Sequence, residues 1–361
     1  MKRQDFRFSH RMRVRWVEVD MQKIVFNGHY LMYFDTAVTD YWRQLAMPYA
    51  DTMHQLGGDL FVKKASVEYH ASAEMDDFLD VCMRCERVGN SSMTFVGAIF
   101  RGDELLITSE LVYVYADPVA KKSQPIPAPL RDMLEGFERG EDMVQVHVGS
   151  WHDFQKHASP LRTEVFVHEQ KVPAELEWDH ADNTALHAVA LNRMGMPLAT
   201  GRLLQHAPGV ARIGRMAVKK QMRGSDLGHR VLQALMNAAK DRGDTQVVLH
   251  AQCSAEGFYK RAGFEPHGAV FEEAGMDRIG QKRDQLTAFL AYLIEDVSER
   301  NKDRCSFEII TPKDPSARGA QLSILAKGQG RQLDDPRSRQ AFADAVSRVG
   351  AIAQVHEQLY K

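Results

Sequence analysis

The sequence predicts an α+β fold divided between two unlike domains and a small C-terminal α/β appendage. Three observations carry this reading. Between residues 60 and 115 four short runs alternate apolar and polar side chains at the period of strands, with one helical pattern before them. After residue 143 strands instead intermix with amphipathic helices. Between the two lies KKSQPIPAPLRDMLEGFERGEDM (121–143), whose closely spaced prolines interrupt sheet and helix alike. The expected division is 1–140, 141–283 and 284–361, in keeping with 361 residues at roughly 100–200 per domain.

Taken in order, a strand is expected over 12–19, then an amphipathic helix opening at Gly28 and His29. Strands follow near 60–70, 78–88, 91–100 and 104–115, with a short amphipathic stretch at the boundary. The second domain starts with VQVHVGS as a strand and a helix over 154–170. Strands near 185–192, 197–206 and 210–218 precede a helix over 227–242, the strand TQVVLHA and the short helix AEGFYKRAG. In the appendage, RDQLTAFLAYLIEDVSERN has helical spacing, SFEIITP is one strand, QLSILAKGQGR is a Gly-rich connection, and 338–346 is a closing helix.

Composition narrows the function classes. Hydrophobic residues make up 44% and charged residues 26%, ordinary values that exclude a largely disordered chain. Lys and Arg number 46 against 48 Asp and Glu, so a net charge of -2 supplies no global attraction for nucleic acid or anionic membrane. Any basic site must be local. No run approaches the ~18 apolar residues of a membrane span, and the basic start MKRQDFRFSHRMRVRW lacks the apolar stretch of a signal peptide. A cytoplasmic protein is expected. Four cysteines are too few for a disulfide framework. Cys82 and Cys85 would supply only half of a four-ligand zinc site, and in the strand-like LDVCMRCERV they point to opposite faces, so structural cysteines and no metal are expected.

Chemistry-bearing residues first concentrate in RVRWVEVDMQKIVFNGHYLMYFD. Asp20 follows a strand pattern, and Gly28 with His29 opens a helix whose free N–H groups suit a carbonyl oxygen that gains charge during acyl transfer. A carboxylate beside such donors could attack a thioester or activate water. On these residues alone, Asp20 reads rather as a turn residue and His29 as an exposed first-turn side chain. The stretch resembles the hotdog-fold acyl-CoA thioesterases of the 4-hydroxybenzoyl-CoA thioesterase and YbgC/FadM type, and VEYHASAEMDDFLDV extends the likeness over roughly 8–138. The resemblance implies an antiparallel sheet around a central helix, Asp20 as the catalytic carboxylate, and Asn27, Gly28 and His29 at the helix start that polarises the thioester. It also implies a homodimer or homotetramer, because that family builds its acyl site between subunits. Tyr69 and His70 could line the site, although strand aromatics are more often packing. Lys23 stands where the family often has Gly, and Asn27 where YbgC-type members often have His; Asn27 can donate a hydrogen bond but cannot shuttle a proton.

The second concentration is RIGRMAVKKQMRGSDLGHRVLQALMNAAKDRG. A strand ends at Val218, a glycine-containing loop follows, and a helix opens near Leu227, an arrangement whose backbone N–H groups cradle a pyrophosphate. RGSDLG alone could equally be an ordinary strand-to-helix turn. The segment resembles the acetyl-CoA loop of GNAT-type N-acetyltransferases, with CSAEGFYKRAGFEPHG downstream and the ElaA-like LRTEVFVHEQKVPAELEWDHADNTALHAVAL upstream. That resemblance assigns Met216, Ala217 and Val218 to the pantetheine arm, and Arg223, Gly224, Ser225, Leu227 and Gly228 to the pyrophosphate. Tyr259 would protonate the departing thiolate, and Glu169, Asp179 and Asp182 would bind or deprotonate an amine, unless they form only a solvated acidic loop. Asp226 occupies a loop position usually held by Gly, where a carboxylate is repulsive to pyrophosphate.

The final residues resemble a fragment of the kynureninase small domain, with Arg318 at the position of a substrate-binding arginine, and lack that enzyme's cofactor domain. The expected protein hydrolyses acyl-CoA and transfers acetyl groups from acetyl-CoA to a small-molecule or peptide amine. CoA thioesters would be substrates rather than tightly bound cofactors. The alternative is a non-catalytic module that binds CoA, an acyl thioester or an acyl carrier protein.

Overall fold

The computed structural model describes residues 1–273, 276–284, 306–310 and 323–327. The N-terminal sheet contains β1 (Phe8–Arg13), β2 (Asp59–Tyr69), β3 (Phe78–Val88), β4 (Ser92–Arg101) and β5 (Glu104–Ala116) in the order β1-β3-β4-β5-β2, antiparallel throughout. The four alternating runs are β2 to β5. The first strand lies at Phe8–Arg13 rather than 12–19, because Trp16–Glu18 closes into a single tight turn. Glu18 reaches back there to accept the Arg15 backbone N–H at 2.7 Å, which diverts the chain from the sheet.

Helix α1 (His29–Gln44) buries Tyr30, Tyr33, Phe34, Ala37, Tyr41 and Trp42 on one stripe against the sheet. Close approach depends on Gly97 of β4: a Cβ there would lie 2.4 Å from Phe34 Cε1. The Tyr41 ring meets Phe8, Trp42, Phe95 and Phe137 edge-on at centroid distances of 5.5, 6.0, 5.3 and 5.4 Å. Its hydroxyl donates at 2.6 Å to Glu138 of α3 (Ala128–Arg139), which also accepts the Cys85 N–H at 2.8 Å. The amphipathic stretch after the prolines is therefore a helix that closes the aromatic core. Helix α2 (Tyr49–Leu56) links α1 to β2. Cys82 packs with Phe6, Ala98 and Phe100 while Cys85 enters the main core, so the pair does face apart. Burial raises both thiols, Cys85 to about 12, and keeps them protonated.

The second sheet contains β6 (Val144–Gly149), β7 (Leu186–Asn192), β8 (Pro197–Ala207), β9 (Val210–Val218), β10 (Gln246–Gln252), β11 (Glu265–Glu273) and β12 (Met276–Asp284). Its order is β11-β12-β10-β9-β8-β7-β6, and β9–β10 is the parallel pair. The helices are α4 (Trp151–Arg162), α5 (Ala174–Glu177), α6 (Leu227–Asp241) and α7 (Glu256–Arg261). Helix α6 makes the crossover that a parallel pair requires. Ser150 and Asp153 form a capping box that starts α4 before residue 154, and after Arg162 the chain widens into a π-helical segment over Thr163–Glu169, with Gln170 N–H donating to Val165 O at 3.0 Å. Strand β12 carries Arg278, Gln281, Lys282 and Arg283, so it has no apolar alternation to reveal it and is recognised by its pairing with β10.

A two-stranded antiparallel pair, β13 (Ser306–Ile310) and β14 (Ser323–Lys327), makes a strand of part of the expected Gly-rich connection. Arg318 and the helical patterns at 283–301 and 338–346 lie outside the described residues, apart from the end of β12. The two large sheets are joined through side chains: Asn192 donates to the Ala46 carbonyl at 3.0 Å, and Lys219 pairs with Asp51 at 3.0 Å. Among the described residues no helix is long and apolar enough to cross a membrane.

Candidate functional sites

Asp20 sits half-buried at the tip of a tight hairpin in which its N–H donates to the Ile24 carbonyl at 2.9 Å. One carboxylate oxygen accepts the Gln22 N–H at 2.7 Å, the turn contact that the sequence left open. Lys23 holds the left-handed φ of 65°, which explains why glycine is comfortable at this place. Behind the hairpin is a group the sequence did not single out. Glu18 is buried and accepts from Arg15 Nε at 2.7 Å and from the Tyr33 hydroxyl at 2.8 Å. Burial acts to raise the Glu18 carboxyl, and the hydrogen bonds from Arg15 and Tyr33 outweigh it, leaving its pKa below the usual range. This clamp anchors the hairpin to α1. Neither charge pattern nor hydropathy marks it, because Arg15 and Glu18 are one unlike-charge pair among many.

Gly28 precedes α1, and no side chain caps that end. Tyr69 reaches it from β2, donating to the Asn27 carbonyl at 3.3 Å, and its ring lies 5.8 Å from Tyr30. The fold thus gathers Asn27, Gly28 and Tyr69. His29 is half-buried and lies beside Met32 Sδ at 3.4 Å, while the His70 ring faces Thr108 Oγ1 at 3.0 Å. Around this ensemble Trp16, Met21, Phe26 and Met32 remain exposed, Met21 completely.

In the second sheet β9 and β10 pair only from Val210–Ile213 against Gln246–Leu249. Beyond Ile213 the strands separate, and a register shift against β8 with Arg215 at a φ of 52° bends β9 away. The gap becomes a cleft of about 790 Å3, lined by Met216, Ala217, Val218, Arg223, Gly228 and Tyr259 among others. The edge of β9 past Ile213 has no β10 partner and can pair with an extended ligand. Gly224 and Ser225 face the gap between the two domains, and Leu227 is buried at the start of α6. Tyr259 is buried between Phe258 and Phe264, and burial pushes its phenol up to about 12, so it enters as a hydrogen-bond donor.

The three expected acceptor carboxylates have other partners. Glu169 forms a two-pronged pair with Arg223 at 2.6 and 2.7 Å, which holds its pKa below the usual range. It orients the loop arginine rather than lining the cleft. Asp182 is buried and receives Arg162 and Arg202, each at 2.8 Å. Asp179 does border the cleft, held by Arg202 at 2.6 and 3.0 Å. Arg162 is itself enclosed, donating to Glu177 at 2.5 Å with its guanidinium 4.6 Å from the Trp178 ring and 5.4 Å from Trp151. Asp226 is exposed at the start of α6 with φ 64° and no capping bond from its side chain. Exposure to water screens the expected repulsion.

A chain from Bacillus subtilis strain 168 described as an uncharacterized N-acetyltransferase, YjcF, is 35% identical over 130 residues, covering 36% of this chain and 91% of that relative. The chain belongs to the GNAT N-acetyltransferase family. A family model described as an acetyltransferase (GNAT) domain matches residues 152–280, and one described as the thioesterase superfamily matches residues 22–108. The hotdog sheet is thus a thioesterase-superfamily domain, fused to a GNAT domain that contains the cleft. Among solved structures, Escherichia coli ElaA is 26% identical with a TM-score of 0.37, covering 39% of this chain and all 100% of that one. Kynureninase from Flavobacterium johnsoniae is 39% identical over 66 residues, which are 18% of this chain and only 15% of that enzyme. A model described as a histidine kinase matches 321–361, where the described residues are those of β14.

Proposed function

We propose that the chain, divided at 1–140 and 141–283 with 284–361 appended, hydrolyses acyl-CoA in its thioesterase domain and transfers acetyl groups from acetyl-CoA to an amine in its GNAT domain. The observation that carries the reading is the splayed β9–β10 cleft, which joins an unpaired strand edge, a glycine-containing loop and the buried Tyr259 phenol. Met216, Ala217 and Val218 would pair with the pantetheine arm, and Arg223 to Gly228 would hold the pyrophosphate. Tyr259 would donate to the sulfur as the thiolate leaves; a phenol near 12 remains protonated throughout the neutral range. In the thioesterase domain Asp20 would attack the thioester or activate water, with its carbonyl directed to the uncapped start of α1.

A homodimer is part of this proposal. Strand β2 is an 11-residue sheet edge on which Phe61 and Val62 are exposed, and the Asp20 hairpin adds the exposed Trp16 and Met21. Light scattering should return at least two copies per particle. The catalytic test is release of free CoA from a panel of acyl-CoA thioesters, beside acetyl-CoA consumption with a panel of amines. If neither activity is found with any member, the enzyme reading gives way to a binding module.

A further inference from the structure

We infer that the thioesterase domain completes the GNAT domain's CoA site by receiving the 3′-phosphate end of the cofactor. This rests on the reading that acetyl-CoA occupies the Val218–Gly228 loop. The two domains enclose a second cleft, of about 480 Å3. One wall is the loop itself, with Lys220, Arg223, Gly224 and Ser225; the other comes from β1 and the end of α1, with His10, Arg11, Asp40 and Arg43. Arg223 borders both this cleft and the one that contains Tyr259. A ligand whose diphosphate crosses the loop can therefore place one end in each.

The ends of CoA match the two linings. The first cleft offers an unpaired strand edge and apolar side chains to the pantetheine arm. The second gathers four cations, Arg11, Arg43, Lys220 and Arg223, against one lining carboxylate, Asp40. Counting Glu169, which neutralises Arg223 from behind, the balance is four positive against two negative, a net of +2 with His10 neutral. Asp40 is held by Arg43 and by His10, the latter at 2.5 Å, so the surplus rests on Lys220 and on Arg11, whose guanidinium lies 5.3 Å from the Phe78 ring. Gly224 has a φ of 85° and nothing within 4 Å of a Cβ built on it, which leaves the loop backbone open to a close-lying phosphate. Guanidinium groups are suited to a phosphomonoester through paired N–H donors. Two of the cations belong to the thioesterase domain, so this part of the site exists only where the domains are joined.

Titration calorimetry of the full chain with CoA and with 3′-dephospho-CoA tests the inference. Wild type should bind CoA about 10-fold more tightly, the worth of one charge-assisted contact. The double variant Arg11→Gln/Arg43→Gln should lose that preference while binding 3′-dephospho-CoA as wild type does and melting at an unchanged temperature. Gly224→Asp should weaken both ligands, which assigns the measured binding to the loop. Equal wild-type affinity for the two ligands would overturn the inference and leave the GNAT cofactor reading intact. So would a double variant that weakens both ligands alike, or adenosine 3′,5′-bisphosphate binding alongside saturating CoA, which would mark an independent anion site. If wild type binds neither CoA form, the cofactor reading falls and this inference with it.

Discussion

The thioesterase and GNAT domains present their candidate sites in opposite states of completion. The GNAT cleft is walled within one chain: β9 and β10 diverge around it, Tyr259 closes one side, and a buried cage of Arg162, Glu177 and Asp182 supports the other. The Asp20 hairpin instead stands at the surface, surrounded by exposed Trp16, Met21 and Phe26 and followed by a helix start with no cap. Large apolar side chains in contact with water are an unfavourable arrangement unless a ligand or a second copy covers them. One site is organised by folding, and the other would be organised by association.

The largest effect should come from Asp20→Asn, which removes the only carboxylate assigned to hydrolysis. Thioester hydrolysis should fall by about 10²–10⁴-fold with acetyl transfer unchanged. A variant with wild-type hydrolysis would make Asp20 a turn residue only, and would remove the open site from the comparison. The closed site is broken through its cage. Arg162→Met should leave Glu177 and Asp182 short of a buried partner and cost roughly 3–5 kcal/mol, read as a lowered denaturation midpoint. An unchanged midpoint would show that Arg202 and Arg215 alone neutralise the two acids.

Tyr259→Phe tests the closed site at the level of its chemistry. Loss of the phenol should slow acetyl transfer by about 10²-fold and leave KM for acetyl-CoA nearly constant, because the hydroxyl acts on the leaving sulfur. Burial holds the wild-type phenol protonated until pH approaches 12, so any basic limb of the transferase profile below about pH 10 should survive in the variant. A limb that disappears with the hydroxyl would contradict the assignment. The smallest effect is Asp226→Gly. The aspartate occupies a left-handed backbone position, so glycine should stabilise the protein by up to about 1 kcal/mol. Because water screens the charge of this exposed residue, CoA affinity should change by less than about 3-fold.

Much of the fold was legible because it depends on local periodicity. The four runs from 60 to 115 are β2 to β5 within a residue or two, and the apolar stripe after Gly28 is α1. Where side chains carry no periodic signal, the reading stopped. β12 lacks apolar alternation and is held by backbone pairing with β10, while the expected strand over 12–19 gives way to the turn closed by Arg15 and Glu18. The same limit applies to the sites. Asp20, Tyr259 and the Arg223–Gly228 loop were nameable only through the motifs' resemblance to two families, and the fold brings Arg223, Gly228 and Tyr259 to one cleft.

From its own periodicity, then, the sequence sets the succession of strands and helices, because hydropathy period and glycine placement act over a few residues, while the two domain types were legible through motif resemblance. Tertiary structure decided which charges meet. Glu169 and Arg223 are 54 positions apart and form one ion pair; Asp182 is drawn to Arg162 and Arg202; Arg11 and Arg43 come to line one cleft with a loop of the other domain. A carboxylate's partners depend on side-chain approach across the fold, and burial then fixes its protonation. Neither quantity is set by neighbours in sequence, so the acidic segment that reads as an amine site in the chain also supplies, once folded, the counter-charges for arginines.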